Sequence, residues 1–308
     1  MSPRQLARLA LMLGALLLLW GAAALARRRA SAAPAGERLA LPRITRGEVD
    51  TVRIARAGDT TVLARRDSAD WRVNGHPASA TVIADLFAAL ADTAEPSELV
   101  AQQPGSQAGL GVDSAGGTRV TILNKGQGLV DLFAGHRTPD LDGGYFRKAG
   151  EAATWLLHGR LAELLARGSD EWRDRHIASA APDSVGAIEI TRGKRVYQVR
   201  KGERGWRLEP SGGVPDSAAL AGLLAAYRDL QAEGFATPRQ ADSARFDHPD
   251  RRARLLRSAG TPLLTVAFDS TGSGFWVRVD SVPTVFRLES WSADRLTPPD
   301  STLRSAHR

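Results

Sequence analysis

The chain has 308 residues, 43% hydrophobic and 24% charged, a balance that suits a globular protein of about two domains and excludes a wholly disordered one. It has no cysteine, which excludes disulfides, a thiolate zinc site, a cysteine nucleophile and a lipid-modified N-terminal cysteine. Of the net charge of +7, Arg4, Arg8, Arg27, Arg28 and Arg29 supply five with no acidic residue before Glu37; the remaining +2 is spread along the chain, so no basic footprint for nucleic acid is present.

Residues 1–8 form a short basic segment. Leu9–Ala26 (LALMLGALLLLWGAAALA) is an unbroken apolar run of 18 residues. As a helix it measures about 27 Å at ~1.5 Å per residue, enough for a bilayer core of roughly 30 Å if Arg8 snorkels. A cleaved signal peptide is the rival reading, since Ala24-Leu25-Ala26 has the A-x-A form. The length of the run and the arginine triplet directly after it favour an uncleaved, single-pass anchor in the cytoplasmic membrane. Arginines flank both sides, so charge does not set its direction. Its terminal position, ahead of one large soluble portion, places residues 1–8 in the cytoplasm and the rest in the periplasm. Residues 27–44, with Pro34 and Pro42 among small side chains, read as a linker.

The next stretch organises the remainder. Val49–Val73 (VDTVRIARAGDTTVLARRDSADWRV) recurs as Val185–Leu208 (VGAIEITRGKRVYQVRKGERGWRL). Val52 and Ile54 alternate with polar neighbours, as Ile188 and Ile190 do, and this period of two marks strands with one apolar face. Gly58-Asp59 and Gly193-Lys194 supply turns, and Trp71-Arg72-Val73 matches Trp206-Arg207-Leu208. Trp71 and Trp206 are therefore expected at equivalent, mostly buried positions. A helix follows each meander. Ser79 can cap ATVIADLFAALAD, with Val82, Ile83, Leu86, Phe87 and Leu90 at helical spacing; Asp216 can cap SAALAGLLAAYRDL, with Leu220, Leu223, Leu224 and Tyr227 on one stripe.

The predicted fold is α+β: an N-terminal transmembrane helix, then two repeated modules of antiparallel sheet with packed helices, at 45–177 and 178–299. TRVTILNK, LVDLFAG, GGYFRK and ATWLLH complete the first module as strands, followed by the helical pieces LHGRLAELLARG and SDEWRDRHI. In the second, TPLLTVAF is matched to TRVTIL, GFWVRV to GGYFRK, and TVFRLESWSADRL to TWLLHGRLAELL. This leaves it one strand short, with a long loop between Phe235 and Thr261. Residues 300–308 read as a frayed tail.

Chemistry-bearing motifs are sparse. Asp140-Leu141-Asp142-Gly143-Gly144 lacks the further ligands of a calcium loop and reads as a hairpin turn. Gly126-Gln127-Gly128 has no third glycine opening a helix and is also a turn. The six histidines, His76, His136, His158, His176, His248 and His307, show no metal-binding spacing, and no hydrolase, kinase or P-loop motif occurs. The tryptophans Trp71, Trp155, Trp172, Trp206, Trp276 and Trp291 read as core anchors before a carbohydrate platform. No catalytic, metal or cofactor-binding residue is assigned, no cofactor is expected, and the ligand-binding residues stay unknown.

With the N-terminal apolar segment, the VDTVRIARAGD and VGAIEITRGKR strands, WRV and WRL before helices, GLGVDSAGGTRVTIL, GGYFRK and DEWRDRHI, the chain resembles a bacterial envelope family catalogued as domain of unknown function 4340. The likeness covers roughly Val49 to Leu296. It implies no activity and assigns no functional residue, but members often occur beside ABC transporter components of the gliding-motility type. The expectation is a non-enzymatic, membrane-anchored accessory or scaffold protein, held through Leu9–Ala26 and contacting a protein partner in the envelope. An envelope protein binding a glycan or peptide in a cleft between the modules is the alternative.

Overall fold

Two rungs of apolar side chains show how the repeated stretch folds. Val52 lies opposite Leu63 and Leu63 opposite Val73, while Ile188 lies opposite Val199 and Val199 opposite Leu208. All six are buried. The period-two pattern thus becomes one apolar face per three-stranded meander, each side chain contributing roughly 1.5–3 kcal/mol by leaving water.

The computed structural model describes residues 39, 41–42, 44–67, 70–92, 97–280 and 282–304. The basic segment 1–8, the apolar run Leu9–Ala26 and most of the linker 27–44 lie outside the described residues. Among those described, no helix is long and apolar enough to cross a membrane. The chain divides into two compact units, one ending at Arg173 and one beginning at Asp174. Both are built mostly of antiparallel strands with some helices, a sheet-rich α+β fold.

The first unit holds β1 (Thr51–Arg56), β2 (Asp59–Arg65), β3 (Trp71–Val73), β4 (His76–Pro77), β5 (Glu98–Ala101), β6 (Thr118–Asn124), β7 (Gln127–Arg137), β8 (Gly143–Lys148) and β9 (Thr154–His158). They form one sheet in the order β4-β3-β2-β1-β6-β7-β8-β9-β5. Helix Ala80–Asp92 packs Ile83, Leu86, Phe87 and Leu90 into the core, and the short helix Leu161–Leu165 adds Leu161, Leu164 and Leu165. Ser79 caps the longer helix, its Oγ accepting the Val82 N–H at 3.4 Å. Two residues assigned to the linker belong to this core: Leu39 and Ile44 are buried, and the Leu39 N–H donates to Ser97 Oγ at 2.7 Å. Small residues and prolines hid them, because two apolar side chains in a row of alanines carry no period.

The second unit has β10 (His176–Ala178), β11 (Ala187–Arg192), β12 (Arg195–Gly202), β13 (Gly205–Glu209), β14 (Leu230–Gln231), β15 (Gly234–Phe235), β16 (Arg251–Leu256), β17 (Pro262–Ser270), β18 (Gly274–Val279) and β19 (Phe286–Glu289). β10 and β14 pair by themselves; the rest run β13-β12-β11-β16-β17-β18-β19-β15. Strand for strand this repeats the first sheet, which adds only β4 at its edge. The unit begins at Asp174 rather than after Ile177, because β10 pairs with β14 and Ile177 packs into the second core.

The second module therefore lacks no strand of the repeat, and the match of TPLLTVAF to TRVTIL is corrected. The partner of β11 is β16, Arg251–Leu256, hidden within the long loop expected at 236–260; TPLLTVAF is β17, the counterpart of β7. Arg251, Arg252 and Arg254 disguised β16 as a solvated loop, although Ala253, Leu255 and Leu256 are buried. The first part of that loop contains helix Pro238–Ser243 and packs Phe246 against Ala267 and Val285, with the Arg278 guanidinium 4.5 Å from the Phe246 ring.

The frayed tail is corrected as well. Ser169–Trp172 and Asp300–Leu303 are matching 3-10 helices, each ending in a buried side chain, Trp172 and Leu303. The Ser79 N–H donates to the Trp172 carbonyl at 2.8 Å, and the Asp216 N–H donates to the Leu303 carbonyl at 2.8 Å. Each 3-10 helix thus docks on the capping residue of its unit's main helix. The residues between are also comparable: Trp71 pairs with Arg65 and Trp206 with Lys201. Trp71 is 2% exposed, however, and Trp206 only half-buried against the core.

Candidate functional site

The repeat gives a standard against which the second unit departs. Gly143 pairs with His158 and Gly274 with Glu289, which sets Glu289 in the place of His158, 131 positions on. The same step carries Arg160 to Trp291 and Leu164 to Arg295. Leu164 is fully buried in the first core, whereas Arg295 is exposed on helix Ser290–Leu296. Trp291, one turn earlier, is 55% exposed. Arg295 thus stands exposed beside the seam between helices Ser217–Ala226 and Ser290–Leu296, where the same register position of the first unit holds a buried leucine.

A depression of about 630 Å³ lies in that seam. Its apolar walls are Ala219, Gly222 and Leu223 of helix Ser217–Ala226, the Trp291 ring, and Pro298 and Pro299; Arg192, Asp294 and Arg295 stand at its polar positions. A Cβ at Gly222 would meet nothing within 4 Å, so the trench has room above that position. Trp291 and Arg295 also border a second depression of about 350 Å³, which holds Asp229, Gln231, Glu233 and Ser292. In the other direction Arg192 and Pro299 lead into one of about 300 Å³, and Arg195, Tyr197 and Asp300 lead on into one of about 720 Å³ with Lys194, Glu209, Ser211 and Arg304. Shared walls join all four into one groove along residues 291–304.

The floor of the groove is firmly held. A helix end leaves its last carbonyls without intrahelical donors. Here three in succession are met by side chains: Tyr227 Oη donates to the Leu296 carbonyl at 2.6 Å, Arg192 Nη1 to the Thr297 carbonyl at 2.9 Å, and Tyr197 Oη to the Pro298 carbonyl. Thr297, fully buried, donates its hydroxyl to the Ala293 carbonyl at 2.7 Å. Burial raises the pKa of both phenols, so they stay neutral donors. Asp216 accepts the Ala219 N–H at 2.8 Å and fixes the start of the opposite wall.

The carboxylates of the groove are already engaged. Asp294 pairs with Arg251 at 2.6 Å and with Arg192 at 3.3 Å. Asp300 bonds Arg304, and that hydrogen bond holds its carboxyl below the usual range. Glu233 accepts from Ser292 Oγ at 2.6 Å and from the Glu289 N–H, at the start of the Trp291 helix. Asp229 accepts from Gln231 at 2.6 Å. The cations differ. Lys194 and Arg295 enter no ion pair with a described residue, Arg195 acts on Asp300 only at a distance, and Arg295 lies 5.9 Å from the Trp291 ring.

The residues singled out in the sequence lie elsewhere. Asp140, Leu141 and Asp142 form the β7–β8 turn, with Leu141 in the left-handed region at φ 64°. His158 stands 3.5 Å from both Asp142 and Glu98, all three solvent-exposed. Gly126 belongs to the β6–β7 turn. His76, His136, His176 and His248 sit on separate elements, His307 lies outside the described residues, and no three of the described His, Asp and Glu side chains are grouped to hold a metal. Trp71, Trp155 and Trp172 are buried, Trp206 and Trp276 half-buried. Trp291 alone among these is exposed. The signal for it was in the repeat itself, where it falls opposite Arg160, a solvated position.

No curated protein and no solved structure matches the chain. A family model does, over residues 71–249, from Trp71 in β3 of the first sheet to Pro249 just before β16 of the second. That span is more than half of the 308 residues, and the chain belongs to the family described as Domain of unknown function (DUF4340).

Proposed function

We propose that the chain is a membrane-anchored, non-enzymatic envelope protein, with Leu9–Ala26 as its anchor and its modules in the periplasm, and that its second module docks a partner protein in an accessory or scaffold role such as one beside an ABC transporter. The observation that carries the reading is Trp291: a tryptophan 55% exposed, set in an apolar trench, where the first unit has Arg160. Exposed apolar surface with a polar rim marks contact sites, and tryptophan and arginine dominate binding energy at such contacts. The non-enzymatic part is supported by the same groove. Its carboxylates Asp294, Asp300, Glu233 and Asp229 are each paired or hydrogen-bonded within the fold, and the bond from Arg304 holds Asp300 below the usual carboxyl range.

A photo-crosslinking amino acid in place of Trp291, in the full chain in native membranes, tests the reading. One defined protein adduct is expected at 291 and none at the matching Arg160 position. Equal, diffuse labelling at both positions would overturn it.

A further inference from the structure

Resting on the docking reading, we infer that the partner presents to this groove an extended peptide segment with an apolar stretch and an acidic end, the apolar side chains lying on Trp291 and the acids reaching Lys194 and Arg195.

Shape gives the first half. Four depressions that share walls from Trp291 to Arg304 accommodate an extended chain rather than a single side chain. An apolar part is lined by both Gly222 and Trp291, where small residues leave space for an aliphatic or proline side chain.

Charge gives the second half. Cations and anions both line the groove: Asp294 and Asp300 are paired with arginines, Asp229 and Glu233 accept hydrogen bonds from neutral groups alone, and Lys194 and Arg295 enter no ion pair with a described residue. Asp229 and Glu233 stand at the opposite end. The groove is therefore polarised: Lys194, Arg195 and Arg304 outnumber Glu209 and Asp300 at one end, so a segment with carboxylates there meets a net positive charge that includes the unpaired Lys194 ammonium. A glycan is the poorer fit. Trp291 is the single exposed large aromatic among the described residues, whereas a sugar chain spread over four depressions needs a stacking face at several.

Fluorescein-labelled peptides with a Pro-Leu stretch and a run of glutamates, placed before or after it, are titrated by anisotropy against the full chain in detergent. Controls carry lysines for the glutamates, and labelled oligogalacturonate stands for an acidic glycan. One acidic peptide should bind, the lysine peptides at least about tenfold more weakly. Raising the salt from about 0.05 to 0.5 M should weaken the acidic peptide about fivefold or more, a measurement that needs no variant. Lys194→Glu with Arg195→Glu, both at exposed positions of a hairpin, should weaken it about tenfold, and Trp291→Ala should do so without altering the salt dependence.

Equal binding of glutamate and lysine peptides, or no response to the Lys194/Arg195 double variant, would overturn the acidic-segment inference. Oligogalacturonate binding as tightly as the peptide would make the groove a glycan site. If the 291 adduct forms while no acidic peptide binds, docking stands and this inference alone fails; if neither occurs, both fall.

Discussion

Arg56 ends β1 and Arg192 ends β11, 136 positions later, and the two guanidiniums clamp the same feature in their separate units. Arg56 donates to the carbonyls of Leu165, Ala166 and Arg167 at 2.7 to 2.9 Å, just past helix Leu161–Leu165. Arg192 donates to the Thr297 carbonyl, just past helix Ser290–Leu296, and its other nitrogen reaches Asp294 at 3.3 Å. A planar fork of donors fits this task because a helix end offers several carbonyls and a negative dipole close together.

Replacing either arginine should fray the helix it holds. Arg56→Ala is expected to cost about 1.5–3 kcal/mol, the range for hydrogen bonds to a charged group. Hydrogen exchange read by mass spectrometry should show lost protection at 161–167 for Arg56→Ala and at 290–297 for Arg192→Ala. Loss in both units from one substitution would mean that the clamp is not local.

The paired tryptophans should separate in their energetics despite sharing a register. Trp71, in contact with Phe87 at 5.4 Å between ring centroids, should cost roughly 3–5 kcal/mol on truncation to Ala. Trp206, half-buried at the open edge of its sheet, should cost about 1–2 kcal/mol because less area leaves water. Urea unfolding of the two variants checks the order, and an equal loss would contradict it.

The chain end should matter for stability. Leu303→Ala is expected to destabilise the second unit by about 2–4 kcal/mol, since the side chain is 1% exposed within the core. Limited proteolysis should then cut first within 174–304. Unchanged resistance would return Asp300–Leu303 to the status of a loose end.

Alkaline pH should act on the second unit. Tyr197 and Tyr227 have pKa values raised by burial, so the fold favours their neutral forms. Stability is fully present below the unfolded-state value near 10 and is lost as pH climbs from there towards the folded-state values, by up to about 1.4 kcal/mol per pH unit for each phenol. The urea midpoint at pH 11 should fall below that at pH 9, and the Tyr197→Phe, Tyr227→Phe double variant should show a smaller fall. An identical fall in the double variant would assign the effect to other groups.

Where the chain's pattern could be read, the reason is local. Ile188, Ile190 and Val199 declare a strand face by spacing alone, and Ser79 and Asp216 declare helix starts because a cap needs only a short polar side chain in the right place. β16 could not be read this way. Three arginines in its six residues read as solvated, although Arg251 shares the face of Ala253 and Leu255 with its guanidinium 4.4 Å from the Phe275 ring, and the neighbours that make these residues a strand, β11 and β17, are brought from distant parts of the chain.

The amino-acid sequence by itself determined the repeat, the α+β class and the family, because periodicity and turn chemistry act over a few residues and recur in both halves. Only the tertiary structure decided that residues 300–303 close the second unit, that Leu39 and Ile44 join the first core, and that Trp291 lies open beside a groove. Burial depends on what packs opposite a side chain. Trp71 and Trp291 are the same residue type, yet Phe87 and the core cover one, while beside the other the exposed Arg295 takes the register position of the buried Leu164.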